Sequence, residues 1–253
     1  MKKYLLSTFI IMLLFLQGCG GSSDENQDST VSVLLALYTH PREWQDDQEL
    51  NGLIEATQGD FIAIVNPSNG PGLSQSAEYL DGLDYLLDQN VSIVAYIYTS
   101  YGSRNKQDIY NDIDTYVSYY GTKRLKGVFF DEVSLKNDAN QTFIKEISTY
   151  ARSKNLNYIV LNPGTGVDQS IIDENYYNLI VTYENPYNKY INFKNTLHSS
   201  AVTKQSLLVY GYPELQSYTK EIEKAKAMHY DYIYLTTDND SNPWDSVFNF
   251  LRK

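Results

Sequence analysis

The chain has 253 residues, with 20 Lys and Arg against 31 Asp and Glu, 24 Tyr against 9 Phe, and a single Cys. A formal net charge of −11 argues against nucleic acid and anionic membrane surfaces as partners and leaves neutral or cationic ones. With one Cys there is no intramolecular disulfide, so stability has to come from a hydrophobic core of the kind a chain this long can build.

In chain order the first element is a leader. Lys2 and Lys3 precede an apolar run over residues 4–15, which is short for a permanent span and has the layout of a secretory signal. Leu16-Gln17-Gly18-Cys19 resembles the bacterial lipobox. That resemblance implies cleavage before Cys19, lipidation of Cys19, and a lipoprotein anchored in the cell envelope. Gly20 rather than Asp follows the Cys, so nothing argues for retention at the inner membrane, and the outer membrane is expected in a Gram-negative cell. An ordinary signal peptide with an incidental Cys, or a retained anchor, is the alternative. Residues 20–30 carry almost no apolar side chain and read as a flexible tether. The expected layout is therefore a signal at 1–18, a lipidated tether at 19–30 and one folded domain at 31–253.

Apolar, β-branched or aromatic runs then alternate with longer helical patterns. Strands are predicted at 31–38, 61–66, 91–99, 127–132, 158–162, 179–184, 206–211 and 232–236. Helical segments are predicted at 74–89, 108–121, 140–153 and 214–228. Runs that are apolar on both faces and alternate with helices argue for a parallel sheet. Eight such units predict a single (β/α)8 barrel of the TIM type. An open doubly wound sheet is the alternative, but it usually has a Gly-rich phosphate loop after its first strand, where this chain has Tyr38-Thr39-His40-Pro41.

Polar groups gather at the carboxyl ends of these strands, where barrels place their sites. Tyr38 and His40 follow the first strand, Asn66 ends the second, Tyr98 the third, and Asp131 and Glu132 the fourth. Asn162 ends the fifth, Tyr183 and Glu184 the sixth, Tyr212 follows the seventh and Asp238 the eighth. The run Gly127-Val128-Phe129-Phe130-Asp131-Glu132 says most, because buried carboxylates cost several kcal/mol unless something compensates them. A structural salt bridge or a helix cap is the alternative to a functional role. The only histidines, His40, His198 and His229, lack metal-ligand spacing, and neither a Gly-x-Ser-x-Gly elbow nor a phosphate loop occurs. No metal and no cofactor is expected. Paired carboxylates in an aromatic, amide-rich cleft suit glycoside hydrolysis, in which one acid protonates the leaving oxygen and the other attacks or activates water. Tyrosine faces stack on sugar rings.

Several blocks carry a family resemblance. They are Tyr38 with Pro41, Val65-Asn66-Pro67-Ser68-Asn69-Gly70-Pro71-Gly72, Tyr98-Thr99-Ser100-Tyr101-Gly102, Gly127 to Ser134, Leu161-Asn162-Pro163-Gly164-Thr165 and Thr182-Tyr183-Glu184. In that order they resemble the spherulin-4 (spherulation-specific family 4) proteins, related to glycoside hydrolase family 135. The resemblance implies a (β/α)8 barrel that cleaves α-1,4-linked N-acetylgalactosamine in an exopolysaccharide, with Asp131, Glu132 and Glu184 as its acidic site residues. By analogy with other α-glycoside barrels, Asp131 is expected as nucleophile and Glu184 as general acid/base. Strand neighbours face opposite ways, so Glu132 is expected to orient its neighbours, hold a substrate hydroxyl, or make an ion pair. Tyr38, His40, Asn66, Tyr98, Asn162, Tyr183, Tyr212 and Asp238 are the expected substrate contacts. A non-catalytic glycan-binding barrel that retains or exports polysaccharide is the second reading, and a plain interaction scaffold the third.

Overall fold

A computed structural model describes residues 30–213 and 218–252. Cys19 and the segment before residue 30 lie outside them, as does the first turn of the helix expected from Glu214. Eight parallel strands run in sequence order: β1 Val33–Leu37, β2 Phe61–Val65, β3 Ser92–Tyr98, β4 Gly127–Asp131, β5 Tyr158–Leu161, β6 Leu179–Pro186, β7 Lys204–Tyr210 and β8 Tyr232–Leu235. The ends meet where Ser32 bridges Tyr232 and the Ile233 amide donates to the Ser32 carbonyl at 3.0 Å. The expected (β/α)8 barrel is the architecture found.

The strands form because nearly every residue in them is buried on one face or the other; β1, β2 and β8 are buried throughout. Inward positions fill the barrel, and outward ones pack under the helices. Those helices are α1 Gln48–Ala56, α2 Ala77–Asp88, α3 Lys106–Tyr120, α4 Asp138–Ser153, α5 Gln169–Ile172, α6 Tyr187–Tyr190 and α7 Tyr218–Ala227. Side-chain caps start the long ones: Asp47, Ser76, Asn105 and Asn137 each accept from a backbone amide of the first turn. At Gly127 a Cβ would fall 1.7 Å from the Tyr158 carbonyl oxygen, so only glycine lets β4 begin so close to β5.

Two features depart from eight regular units. The links after β5 and β6 hold helices of only four residues each, as suits segments broken by Pro163, Gly164, Gly166 and Pro186. After β8 no helix occurs among the described residues. Instead an irregular segment tucks Trp244, Phe248 and Phe250 against the core. That segment brings a tryptophan to the top of the barrel.

Candidate active site

Asp131 is the last residue of β4, on the same face as Phe129, whose ring helps to floor a cleft of about 310 Å³ at the carboxyl ends of the strands. Its Oδ2 accepts from the Tyr96 hydroxyl at 2.8 Å. Its Oδ1 accepts from Asn162 Nδ2 at 2.9 Å and from the Glu132 amide at 2.8 Å. Asp131 is thus fixed by donors from β3, from the residue just after β5 and from the next backbone amide. The strand stops there, because Glu132 turns to φ +52, a left-handed conformation that non-glycine residues rarely hold. The Glu132 carbonyl is gripped by the Thr99 hydroxyl and the Tyr101 amide, each at 2.7 Å.

Glu184 reaches the cleft through a β-bulge. On β6, Leu179 pairs with Lys204 and Val181 with Ser206, but Tyr183 then pairs with Leu207 and Glu184 with Leu208. Leu208 lines the cleft, so Glu184 shares its inward face. The extra residue, Thr182, is buried and bonds Gln205 Oε1 at 3.0 Å. Had Thr182 instead paired regularly with Leu207, strict alternation would have set Tyr183 inward opposite Leu208 and turned Glu184 outward.

One amide ties the two acids together. Asn162 Oδ1 accepts from the Gly164 amide at 2.9 Å, which orients the side chain so that its NH2 group serves both Asp131 and Glu184 Oε2, the latter at 2.7 Å. Gly164 adopts φ +64 to make this turn. The other Glu184 oxygen, Oε1, accepts from Trp244 Nε1 at 3.0 Å. The facing carboxylate oxygens therefore lie within two hydrogen-bond lengths of each other. Burial pushes the Glu184 carboxyl above its usual range and the nearby Asp131 charge adds to this, while the bonds from Asn162 and Trp244 pull the other way. Burial, with the Asp131 charge behind it, also raises the Tyr38 and Tyr96 phenols. The two rings meet edge to face at 5.8 Å on one wall.

Of the residues expected from the sequence, Tyr38, Asn66, Asp131, Asn162 and Glu184 line this cleft. Asn66 also holds its own loop, accepting from the Gly70 amide at 3.0 Å. The other six are placed differently. Glu132 is outside the lining and acts on the cleft through its amide and through a charge that reaches Tyr96. His40 is exposed and pairs with Glu78 at 3.3 Å. Tyr98 lies under the Arg104 guanidinium, 4.2 Å from its ring centre. Tyr183, turned outward by the bulge, packs on Phe193 at 4.1 Å, and burial pushes its phenol up to about 12. Tyr212 is buried against Tyr187 at 4.6 Å. Asp238 organises its own loop, accepting from the Asp240 amide at 3.0 Å and the Ser246 hydroxyl at 2.9 Å.

The cleft also gains Asn69, Tyr96, Asn242 and Trp244. Tyr96 was legible as an inward neighbour of Asp131 two residues before the end of its strand. Trp244, one of two tryptophans, carries no local signal that it returns to the barrel mouth. No group of three or more His, Cys, Asp or Glu able to hold a metal occurs among the described residues.

The family model for spherulation-specific family 4 matches residues 32–253. A curated relative, Spherulin-4 of Physarum polycephalum, is 35% identical over 146 residues, covering 56% of this chain and 42% of that protein. The chain thus spans less than half the length of that relative. Among solved structures, Aspergillus clavatus Sph3 in complex with GalNAc superposes with a TM-score of 0.74 at 20% identity, covering 87% of this chain and 93% of the other.

Proposed function

The chain belongs to spherulation-specific family 4, and from that premise we propose that the cleft hydrolyses a glycosidic bond, with α-1,4-linked N-acetylgalactosamine in an exopolysaccharide as substrate. The observation that carries this reading is the bridge from Asn162 to both Asp131 and Glu184. A binding-only barrel has use for Tyr38 and Asn66, but gains nothing from two carboxylates held against each other. The GalNAc complex of the similarly folded Sph3 supports an amino sugar as the unit recognised.

In this mechanism Glu184, whose protonated form is favoured by burial and by the Asp131 charge, protonates the leaving oxygen. Asp131, already aligned by three donors, attacks the anomeric carbon. Departure of the leaving sugar forms a glycosyl ester on Asp131. Glu184, now ionised, takes a proton from water, which releases the sugar and restores both acids. Carboxyl groups about 5–5.5 Å apart go with such double displacement, and separations of about 6.5 Å or more with single displacement. The shared amide supports the shorter class. Tyr38 and Tyr96 supply the aromatic wall, while Asn66, Asn69 and Asn242 offer amides to sugar hydroxyls.

The test is incubation of the protein with α-1,4-linked N-acetylgalactosamine polymer, followed by mass spectrometry of released oligosaccharides. Wild type should release them; Asp131→Asn and Glu184→Gln should not, with circular dichroism unchanged. Retention of the polymer without cleavage would favour the binding-only reading, and full activity in either variant would overturn the assigned roles. For the N terminus we place the lipid on Cys19, with signal cleavage after residue 18. Labelling with a radioactive fatty acid that is lost in Cys19→Ala tests this, and label that persists in the variant would refute it.

A further inference from the structure

A second groove, of about 670 Å³, opens on the loops that follow β3, β4 and β5. It is lined by Val133, Ser134 and Leu135 from one loop, Pro163 and Thr165 from the next, and the Tyr101 ring. Asp131 and Asn162 lie on the cleft, and the groove begins two residues beyond the first and one beyond the second. The Val133 amide donates to the Asn162 carbonyl at 3.0 Å, so the cleft and the groove share one tied scaffold.

Tyr101 is 65% exposed, on a chain with few large side chains so open. It is nonetheless held firmly. Ser100, Tyr101 and Gly102 take φ values of +49, +55 and +85. The Tyr101 amide bonds the Glu132 carbonyl at 2.7 Å, and the Gly102 amide bonds the Thr99 carbonyl at 3.1 Å. Left-handed backbone at a bulky residue is costly, and here it presents an aromatic face to solvent at the rim of a groove. The groove lining combines the buried apolar Val133, Leu135 and Ile171 with the polar Ser134 and Thr165 and the charged Lys136 and Asp168. An aromatic platform beside apolar and polar lining suits a pyranose ring with an acetamido methyl and several hydroxyls.

We propose that this groove is an extended subsite that binds the N-acetylhexosamine units next to the one held in the cleft, with Tyr101 as its stacking platform. Its volume is roughly twice that of the cleft, room for about two further units if the cleft holds one. The subsite rests on the glycosidase reading, and the experiment separates the two.

The probe is a series of α-1,4 N-acetylgalactosamine oligosaccharides of two to eight units, with kcat/KM measured for wild type, Tyr101→Gly and Tyr101→Trp. Glycine keeps the left-handed turn and removes only the ring; tryptophan keeps a stacking face. Wild type should gain about tenfold in kcat/KM from the shortest cleaved oligosaccharide to the longest, the scale of one aromatic contact. Tyr101→Gly should flatten that dependence and Tyr101→Trp should preserve it. A length dependence identical in wild type and Tyr101→Gly overturns the subsite and leaves the glycosidase standing, as does wild type with no length dependence. Wild type that neither binds nor cleaves any member overturns both.

Discussion

Trp244→Phe isolates one hydrogen bond at the proposed acid. Its indole NH lies 3.0 Å from Glu184 Oε1, and this bond holds the Glu184 pKa down against burial and the Asp131 charge. Phenylalanine keeps most of the packing against Tyr210 and Tyr234, whose ring centres lie 5.9 and 6.2 Å from that of Trp244, and deletes the donor. A hydrogen bond to a charged group is worth about 1.5–3 kcal/mol, and one pKa unit corresponds to about 1.36 kcal/mol. Solvent entering from the open side replaces part of the loss, so the Glu184 pKa should rise by about one unit. A general acid must be protonated to act, so the alkaline limb of the kcat/KM profile, set by Glu184, should move up by the same amount. The assay is the pH dependence of kcat/KM on a defined amino-sugar oligosaccharide, with the Glu184 carboxyl followed by carbon-13 NMR. An alkaline limb that stays put or moves down would refute the argument that Glu184 is the acid and that Trp244 tunes it.

Three further outcomes are expected. Deleting Thr182 removes the bulge but leaves Tyr183 opposite Leu207 and Glu184 opposite Leu208, so both the deletion and Thr182→Ala should stay active; loss of activity in a folded deletion variant would refute the register argument. Because the folded-state pKa of Glu184 lies above its unfolded value, its contribution to stability is present at low pH and is lost as pH rises through the folded pKa. Glu184→Gln should therefore lose that part of the pH dependence and melt no lower than wild type at alkaline pH; equal slopes in the two proteins would count against it. The net charge of −11 should make retention of a partly deacetylated, cationic galactosaminoglycan weaken between low and physiological salt, where the screening length shrinks to about 8 Å, and binding indifferent to salt would exclude an electrostatic contribution.

The fold was legible because each strand is apolar on both faces and each is followed by polar groups in phase, a pattern that an open sheet with its phosphate loop does not share. Helix starts were legible to within a few residues where Ser76, Asn105 and Asn137 cap them. The site was legible in part. Asp131 and Asn162 sit where alternation predicts, at the tips of their strands. Glu184 was identified by residue type and by resemblance, but alternation alone would have placed Tyr183 in the cleft, since nothing in Thr182-Tyr183-Glu184 announces an inserted residue. Glu132 leaves the strand by a left-handed turn that its residue type disfavours. Trp244 reaches Glu184 from sixty positions away along an irregular segment, and such long-range returns leave no periodic trace. His40, Tyr98, Tyr212 and Asp238 share the strand-end address of the true lining residues. They differ in local partners, Glu78, Arg104, Tyr187 and Ser246, that only the folded chain brings near.

The most direct test of the two-carboxylate account is the anomeric configuration of the first product, read by proton NMR within the opening minutes of hydrolysis of an α-1,4 N-acetylgalactosamine oligosaccharide. Asp131 and Glu184 bridged by one amide predict retention, so the new reducing end should appear first as the α anomer and only later mutarotate. A β anomer appearing first would mean that water attacks directly, and that Asp131 is not the nucleophile.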